Sequence, residues 1–546
     1  MHAIADGLRQ NPAGFVTPGQ GVVWDGAKAA RSASWRNLFV PYLWLGAEER
    51  GLAWFGENDK GWVTEKGKGK APIQEVVREP GRIVLRVYLI NRPLTLSEPR
   101  RLTFGLQASP TKPMPEGWRK RLPDIPGGLA VVPFGGLQCA SQGPYKDDWR
   151  VVDKILECSA GKEFDRKWFE DYVKEHKPPL VHGNWDWLGS VEHFAGRARG
   201  IGPDKPLTVY QEEMFAAVPR PEWIVFQDEW CGSEDAWARQ APGQASLDTG
   251  YAFVGENAGV TFNESYRDFG IYFANEWMKR GVSLYWDNVF PKLSTNFRTT
   301  DAYVTEDGQV QPALILWHQR EYQKRVWHAL QEWRKKRPEP LEWVLHMTNT
   351  MVLPILTWGT ADLDHELGND KPFAPDWLRA ETIGLQAGNH PLSLYAVTGD
   401  HNKVFAELRK TKPKAEVDRM TERSEWGMRM VHEIQHGGAP EKLVRDFGYG
   451  EDAVVVHNYW ADKPALRVAN EGVRWIVLER RDRQELLMVF ASWSAGDAET
   501  AVSFLPGALG FDASDLRLAD AEGSGAVEMP LKLPGPYGVR VVKASK

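Results

Sequence analysis

Between residues 264 and 345 the chain alternates helical and extended segments, and that order restricts the folds open to it. Residues 264–280 carry Tyr266, Phe269, Phe273, Trp277 and Met278 at helical spacing, with Asn263 as N-cap and Gly281 just past the end. Residues 282–286 follow as a short apolar strand ending in Asp287-Asn288. A long loop leads to a second helix over about 312–337. Val326, Leu330 and Trp333 mark its apolar face, Arg334-Lys335-Lys336-Arg337 favour its negative end, and Pro338 stops it. Residues 341–345 read as the next strand, followed by His346. Strand, loop, helix, strand is the rhythm of a parallel sheet, and ~325 residues of it fit a (β/α)8 barrel with long top loops. A doubly wound sheet is the alternative, but the glycine-rich phosphate turn that would support it is missing.

The flanks read differently. RIVLRVYLI (82–90) alternates and is rich in β-branched residues, LTFGLQASP (102–110) is a further strand, and the Pro-rich SPTKPMPEGW follows. From Gly448 onward AVVVHNYW, RWIVLER, ELLMVFASW and AVSFLP are short strands between turn-rich segments. The expected protein is multidomain, α/β plus all-β. Residues 1–115 form an N-terminal β-sandwich, 116–446 a central (β/α)8 TIM barrel, and 447–546 a C-terminal β-sandwich.

Composition narrows the function. Of 546 residues 42% are hydrophobic and 26% charged, enough to build a core. The net charge of −6 argues against a nucleic-acid binder or a polybasic membrane-surface protein. No run of 18 or more apolar residues offers a transmembrane helix. The start, MHAIADGLRQNPAG, lacks the apolar run of a signal peptide, so a periplasmic or secreted location is expected only if the chain is a truncated form. Cys139, Cys158 and Cys231 offer neither a disulfide framework nor a CxxC metal site. Trp (25) outnumbers both Phe (22) and Tyr (15). Indole faces stack on the C–H faces of sugar rings, although Trp is also a large core residue with a polar handle.

Four acidic features follow strand-like runs, where the active-site loops of a barrel begin. Asp287 ends GVSLYWDN beside Trp286 and Asn288. Asp228-Glu229 ends WIVFQDEW. Asp362, Asp364 and Glu366 lie in TWGTADLDHELG, and Asp186 lies in HGNWDW next to Trp185. Paired carboxylates among aromatics suit glycosidic cleavage, where one protonates the leaving oxygen and the other attacks or activates water. Any one acid alone is more simply a cap, a turn former or an Arg partner. The competing signal is HEIQH, His432-Glu433 with His436, which matches the zinc pattern HExxH and arises by chance about 0.02 times in such a chain. That chemistry needs a helix. The alternation of Trp426, Met428 and Met430 suggests a strand instead, and Gly437-Gly438 and Pro440 break the chain just after. No metal and no cofactor are therefore expected, and His432 and Glu433 are read as lining a sugar site.

GLAWFGENDKGWV, VYLINRP and TFGLQASPTKP resemble the N-terminal β domain of the glycoside hydrolase family 123 group. GVSLYWDN, HQREYQKRVWHAL and HMTNTMVLPILTWGTADLDHE are similar to its catalytic barrel, and FGYGEDAVVVHNYW to its C-terminal domain. The resemblance implies a β-N-acetylgalactosaminidase using an adjacent Asp-Glu pair. Glu is the general acid and Asp orients the acetamido group; here the pair is Asp228-Glu229. Tyr285-Trp286-Asp287-Asn288 is similar instead to the strand-end nucleophile of α-galactosidase-like barrels. That likeness makes Asp287 the nucleophile or base and Glu366 (or Asp364) the acid. The expectation is a glycosidase for an oligo- or polysaccharide, with Trp185, Asp186, Trp286, Asn288, His346, Asp364, His432 and Glu433 contacting carbohydrate. A zinc hydrolase and a non-catalytic carbohydrate-binding protein are the alternatives.

Overall fold

The computed structural model describes residues 2–5, 19–26, 39–46, 50–62, 72–120, 148–176, 187–203, 207–211, 213–217, 221–232, 257–289, 291, 293–337, 341–346, 352–365, 372–375, 378–379, 387–393, 402–434, 440–523 and 525–546. They form two compact units, one of Met1–Lys112 with Asp124–Asp362, the other of Pro113–Pro123 with Leu363–Lys546. No described helix is long and apolar enough to cross a membrane.

The first unit opens with seven strands: β1 His2–Ala5, β2 Gly21–Asp25, β3 Tyr42–Gly46, β4 Gly51–Gly56, β5 Gln74–Glu79, β6 Arg82–Val87 and β7 Phe104–Ser109. They make two antiparallel sheets, ordered β1-β3-β4-β7 and β2-β5-β6. Gln74 of β5 ties them, donating to the Val40 carbonyl at 2.8 Å and accepting from its amide at 3.3 Å. Trp54 is buried with its ring edge-on to Phe39 and Trp62, in the geometry that aromatic quadrupoles favour.

An α/β part follows in the same unit. Its elements are α1 Arg150–Ser159, α2 Arg166–His176, α3 Trp187–Ile201, β8 Thr208–Gln211, β9 Phe215–Ala217, α4 Pro221–Trp230, β10 Asn257–Gly259 and α5 Glu264–Lys279. Next come β11 Ser283–Trp286, β12 Leu293–Ser294, β13 Tyr303–Val304, β14 Val310–Gln311, β15 Ala313–Leu314, α6 Leu316–Lys336, β16 Trp343–His346, α7 Leu353–Leu356 and β17 Ala361–Asp364. The two anticipated helices are present. Asn263 caps α5 by accepting from the Tyr266 amide at 3.1 Å, and Gly281 beyond its end takes φ +80°, which only glycine adopts without cost. Strands β8, β11, β16 and β17 follow one another in a single sheet, with β11 parallel to both β8 and β16. Between β11 and α6 the chain makes two small antiparallel pairs, β12-β15 and β13-β14.

The second unit holds β18 His390–Ser393 and helices α8 Lys403–Leu408, α9 Lys414–Met430 and α10 Glu441–Phe447. The strands after them are β19 Val454–Asn458, β20 Leu466–Val468, β21 Val473–Arg480, β22 Glu485–Ser492, β23 Ala498–Thr500, β24 Val502–Phe504, β25 Arg517–Asp520, β26 Leu531–Leu533 and β27 Val539–Ser545. A five-stranded antiparallel sheet, β19-β21-β22-β27-β25, is buried on both faces. Ile476, Leu478, Leu487 and Val489 pack with Phe405, Val417, Trp426 and Met428 of the helices. The alternate residues Trp475, Val477, Met488 and Phe490 pack with Leu466, Leu531 and Leu533 of the short strands. A Cβ on Gly427 of α9 would come within 2.3 Å of Val539, so glycine permits this close helix–sheet approach. Helices α9 and α10 share this core with the strands that follow them.

Two segments correct the sequence reading. The run around Trp426, Met428 and Met430 is the last turn of α9, not a strand. Residues 424–430 are buried all round, so alternation there says nothing about period. WIVFQDEW is helix α4, also not a strand.

Candidate active site at the end of β11

Asp287 is placed by strand pairing. Tyr285 and Trp286 of β11 register with Tyr210 and Gln211 of β8, and Trp286 registers with Leu345 of β16. One step further, the Asp287 amide donates to the Gln211 carbonyl at 2.8 Å, and His346 becomes its neighbour on the other side. The Trp286 indole points away from this cluster, donating to Gln211 Oε1 at 2.9 Å and stacking on Tyr322 at 5.3 Å. Sequence reading expected Trp286 against the sugar; it is instead fully buried packing that fixes the strand end.

Every oxygen of Asp287 is held. Oδ1 lies 2.8 Å from His346 Nδ1 and accepts from the Asn288 amide at 2.8 Å, while Oδ2 accepts from the Tyr210 hydroxyl at 2.5 Å. Asn288 takes φ +54°, a left-handed conformation that Asn tolerates better than most residues, and this turns its amide back onto the carboxylate. His346 Nδ1 is also 2.7 Å from the Tyr285 hydroxyl. A carboxylate oxygen only accepts, so the network assigns the Nδ1 proton to His346, shared between Asp287 and Tyr285. Burial alone would raise the Asp287 pKa. The His346 ring, then the Tyr210 hydroxyl and the Asn288 amide, outweigh it and hold the carboxyl below the usual range. Asp287 is thus an ionised carboxylate at neutral pH, the state a nucleophile or base needs and a general acid does not.

The other anticipated residues are distributed as follows. Glu366, Trp185, Asp186 and His436 lie outside the described residues. Asp364 is buried in the second unit, where its Oδ1 accepts from the His365 amide at 2.8 Å. Asp228 and Glu229 sit on the exposed side of α4. The Asp228 side chain is 83% exposed, and Glu229 accepts from the Ser265 hydroxyl at 2.7 Å. That is a helix surface rather than the strand end expected for a catalytic pair. His432 and Glu433 are likewise engaged in the second unit. Glu433 accepts from Nε and Nη2 of Arg119 at 2.5 and 3.0 Å, from the Tyr449 hydroxyl at 3.1 Å and from Asn458 at 2.8 Å. His432 spans the Met428 carbonyl at 2.7 Å and the Tyr459 hydroxyl at 2.9 Å. Both side chains are buried, so the expected sugar contacts are replaced by an internal network. Among the described residues no three His, Cys, Asp or Glu side chains gather as a metal site.

Sequence reading missed Tyr210, Tyr285 as a functional group, and Glu213. Tyr210 sits in TVYQEEM, whose short β-branched run before polar residues is the available signal. Glu213 lies buried just beyond β8 and accepts from the Tyr322 hydroxyl at 2.7 Å.

No protein-family model matches the chain, and no curated protein matches it. Among solved structures it is similar to a variant GH36 α-galactosidase from Geobacillus stearothermophilus bound to 1-deoxygalactonojirimycin. That match has 11% identity and a TM-score of 0.39, and covers 99% of this chain and 74% of the other. An α-galactosidase from Lactobacillus brevis shows 8% identity and a TM-score of 0.38 over 93% of this chain and 68% of its own. A trehalose-6-phosphate hydrolase from Bacillus licheniformis shows 11% identity and a TM-score of 0.29 over 72% and 95%. A likeness this loose leaves the functional argument to the residues.

Proposed function

We propose that the chain is a glycoside hydrolase in which Asp287 acts as nucleophile or base and Glu366 as acid, on a (β/α)8 barrel that includes β8, β11, β16 and β17. The observation that carries this reading is the ionised, fully oriented carboxylate at the C-terminal end of a parallel strand. Strand order supports the barrel. Successive strands lie side by side without the reversal that makes the binding crevice of a doubly wound sheet.

In this mechanism Tyr210 and His346 fix the Asp287 carboxylate and stabilise its charge until it meets the oxocarbenium-like centre at C1. Attack leaves the leaving-group oxygen in need of a proton, which a carboxylic acid from a later loop supplies. Spacing decides the outcome: about 5–5.5 Å between the Asp287 and Glu366 carboxyl groups means retention, and roughly 6.5–9.5 Å inversion. The acetamido-assisted alternative has weaker support, because Asp228 and Glu229 lie on a solvent-facing helix. Incubating the protein with a panel of short glycans and 4-nitrophenyl glycosides, with NMR detection of the first anomer released, tests the reading. Release from no member of the panel contradicts it.

One observation favours a second reading. With the Nδ1 proton of His346 directed at Asp287, the Nε2 atom is the basic one, and Asp287 could serve to orient a histidine base. His346→Gln then abolishes turnover as fully as Asp287→Asn. The glycosidase reading expects the histidine variant to retain part of its activity.

A further inference from the structure

The second unit carries a groove of about 510 Å³ bordered by Tyr459, Arg467, Asn470, Glu471 and Arg474, with Trp475 in its floor. Its volume lies within the ~300–1,000 Å³ typical of small-molecule sites. The charge arrangement is unusual. The Arg474 guanidinium lies 5.3 Å from the Tyr459 ring centre, and Arg379 lies 5.5 Å from the same ring. Arg474 donates to the main-chain carbonyls of Glu471 and Val473. Among the described residues neither Arg474 nor the exposed Arg467 has a carboxylate within ion-pair distance. The one acid on the border, Glu471, is exposed and outnumbered by the two arginines.

Tyr459 is held from behind. His432 uses Nδ1 toward the Met428 carbonyl at 2.7 Å, so Nε2 accepts the Tyr459 hydroxyl at 2.9 Å. Burial keeps that imidazole neutral, its pKa pushed down to about 3. The ring over which Arg474 lies is thus anchored at its hydroxyl. Guanidinium groups bind carboxylate and phosphate oxygens through paired donors. Leu466, Val473 and Trp475 supply an apolar base beneath them.

We propose that this groove is a binding site for an oxyanion-bearing ligand, a saccharide carrying a carboxylate, with Arg474 and Arg467 receiving the anion. The saccharide part rests on the glycosidase reading; the anion site itself does not.

The test is calorimetric titration of the full chain with trigalacturonate, with neutral galactotriose and with inorganic phosphate. Trigalacturonate is expected to bind saturably, and at least tenfold more tightly than galactotriose. Arg474→Gln and Arg467→Gln are each expected to weaken it tenfold or more, and Arg474→Lys less. Arg467 is exposed, so its variant is a surface substitution with a small expected cost to stability. Binding of phosphate alone overturns the saccharide assignment. Binding that is equal for both trisaccharides, or unaltered in both glutamine variants, or absent altogether, overturns the site. Failure of the glycosidase reading appears separately, as absence of cleavage in the glycan panel.

Discussion

His346 Nδ1 stands 2.8 Å from Asp287 Oδ1, joining the ends of two adjacent parallel strands. The imidazole and the Tyr210 hydroxyl together keep a buried carboxylate charged, against the desolvation that would otherwise neutralise it. That balance leads to the first prediction. Tyr210→Phe removes a hydrogen bond to a charged group, worth about 1.5–3 kcal/mol, so the Asp287 pKa rises. The base is then protonated at higher pH, and the acid limb of the kcat/KM profile moves upward. A pH–rate profile measured on both proteins checks this; coincident acid limbs contradict it.

Asp228→Asn and Glu229→Gln should each leave turnover within about twofold of the parent, since surface substitutions away from special features cost little. The carboxylates belong to an exposed helix face, where Asp228 lies 3.7 Å from Arg298. Steady-state rates on the best substrate in the panel decide it. A large fall in both would restore the acetamido-assisted mechanism.

The pair Arg119–Glu433 makes a stability prediction within the second unit. Glu433 has a side chain 1% exposed and Arg119 one 34% exposed. Removing Arg119 strands a buried carboxylate on Tyr449 and Asn458 alone, at a cost of about 3–5 kcal/mol. Arg119→Met should therefore lower the urea midpoint far more than Arg119→Met combined with Glu433→Gln. Equal midpoints for the two would show that the pair does not act as a unit.

Histidine burial sets an acid limit. His432 is pushed down to about 3 by burial, and His365 well below its usual value by burial and then by Arg429. Each stays neutral in the folded state but takes up a proton near pH 6.5 once unfolded. Stability is therefore complete above about pH 6.5 and falls as pH drops toward 3, by up to about 1.4 kcal/mol per pH unit for each histidine. Unfolding titrations at pH 7 and pH 4.5 should show this loss, and His432→Gln should reduce it. An unchanged loss in that variant contradicts the assignment.

Much of this arrangement was legible. The cap Asn263, the 3.6-residue spacing up to Met278 and the glycine past the end all act within a few residues, so α5 could be read directly. Asp287 is legible because a strand-like run stops at a turn former. Its pairing with His346 depends on the register of β11 and β16, which no local pattern encodes. The α4 misreading has a physical cause. Trp-Ile-Val-Phe suits a strand by composition, yet Pro221 occupies the first helical position and Val225 is 72% exposed. In α9 the last turn is buried on all sides between neighbouring elements, which erases the periodicity a sequence reader relies on.

The role of Asp287 is read from kcat for hydrolysis of the best 4-nitrophenyl glycoside by the parent and by Asp287→Asn, with binding of the same sugar measured in parallel. The substitution keeps the shape of the side chain and removes its charge. In the variant kcat is expected to fall by about 10³-fold or more while sugar affinity changes little. Undiminished turnover in Asp287→Asn would contradict that role.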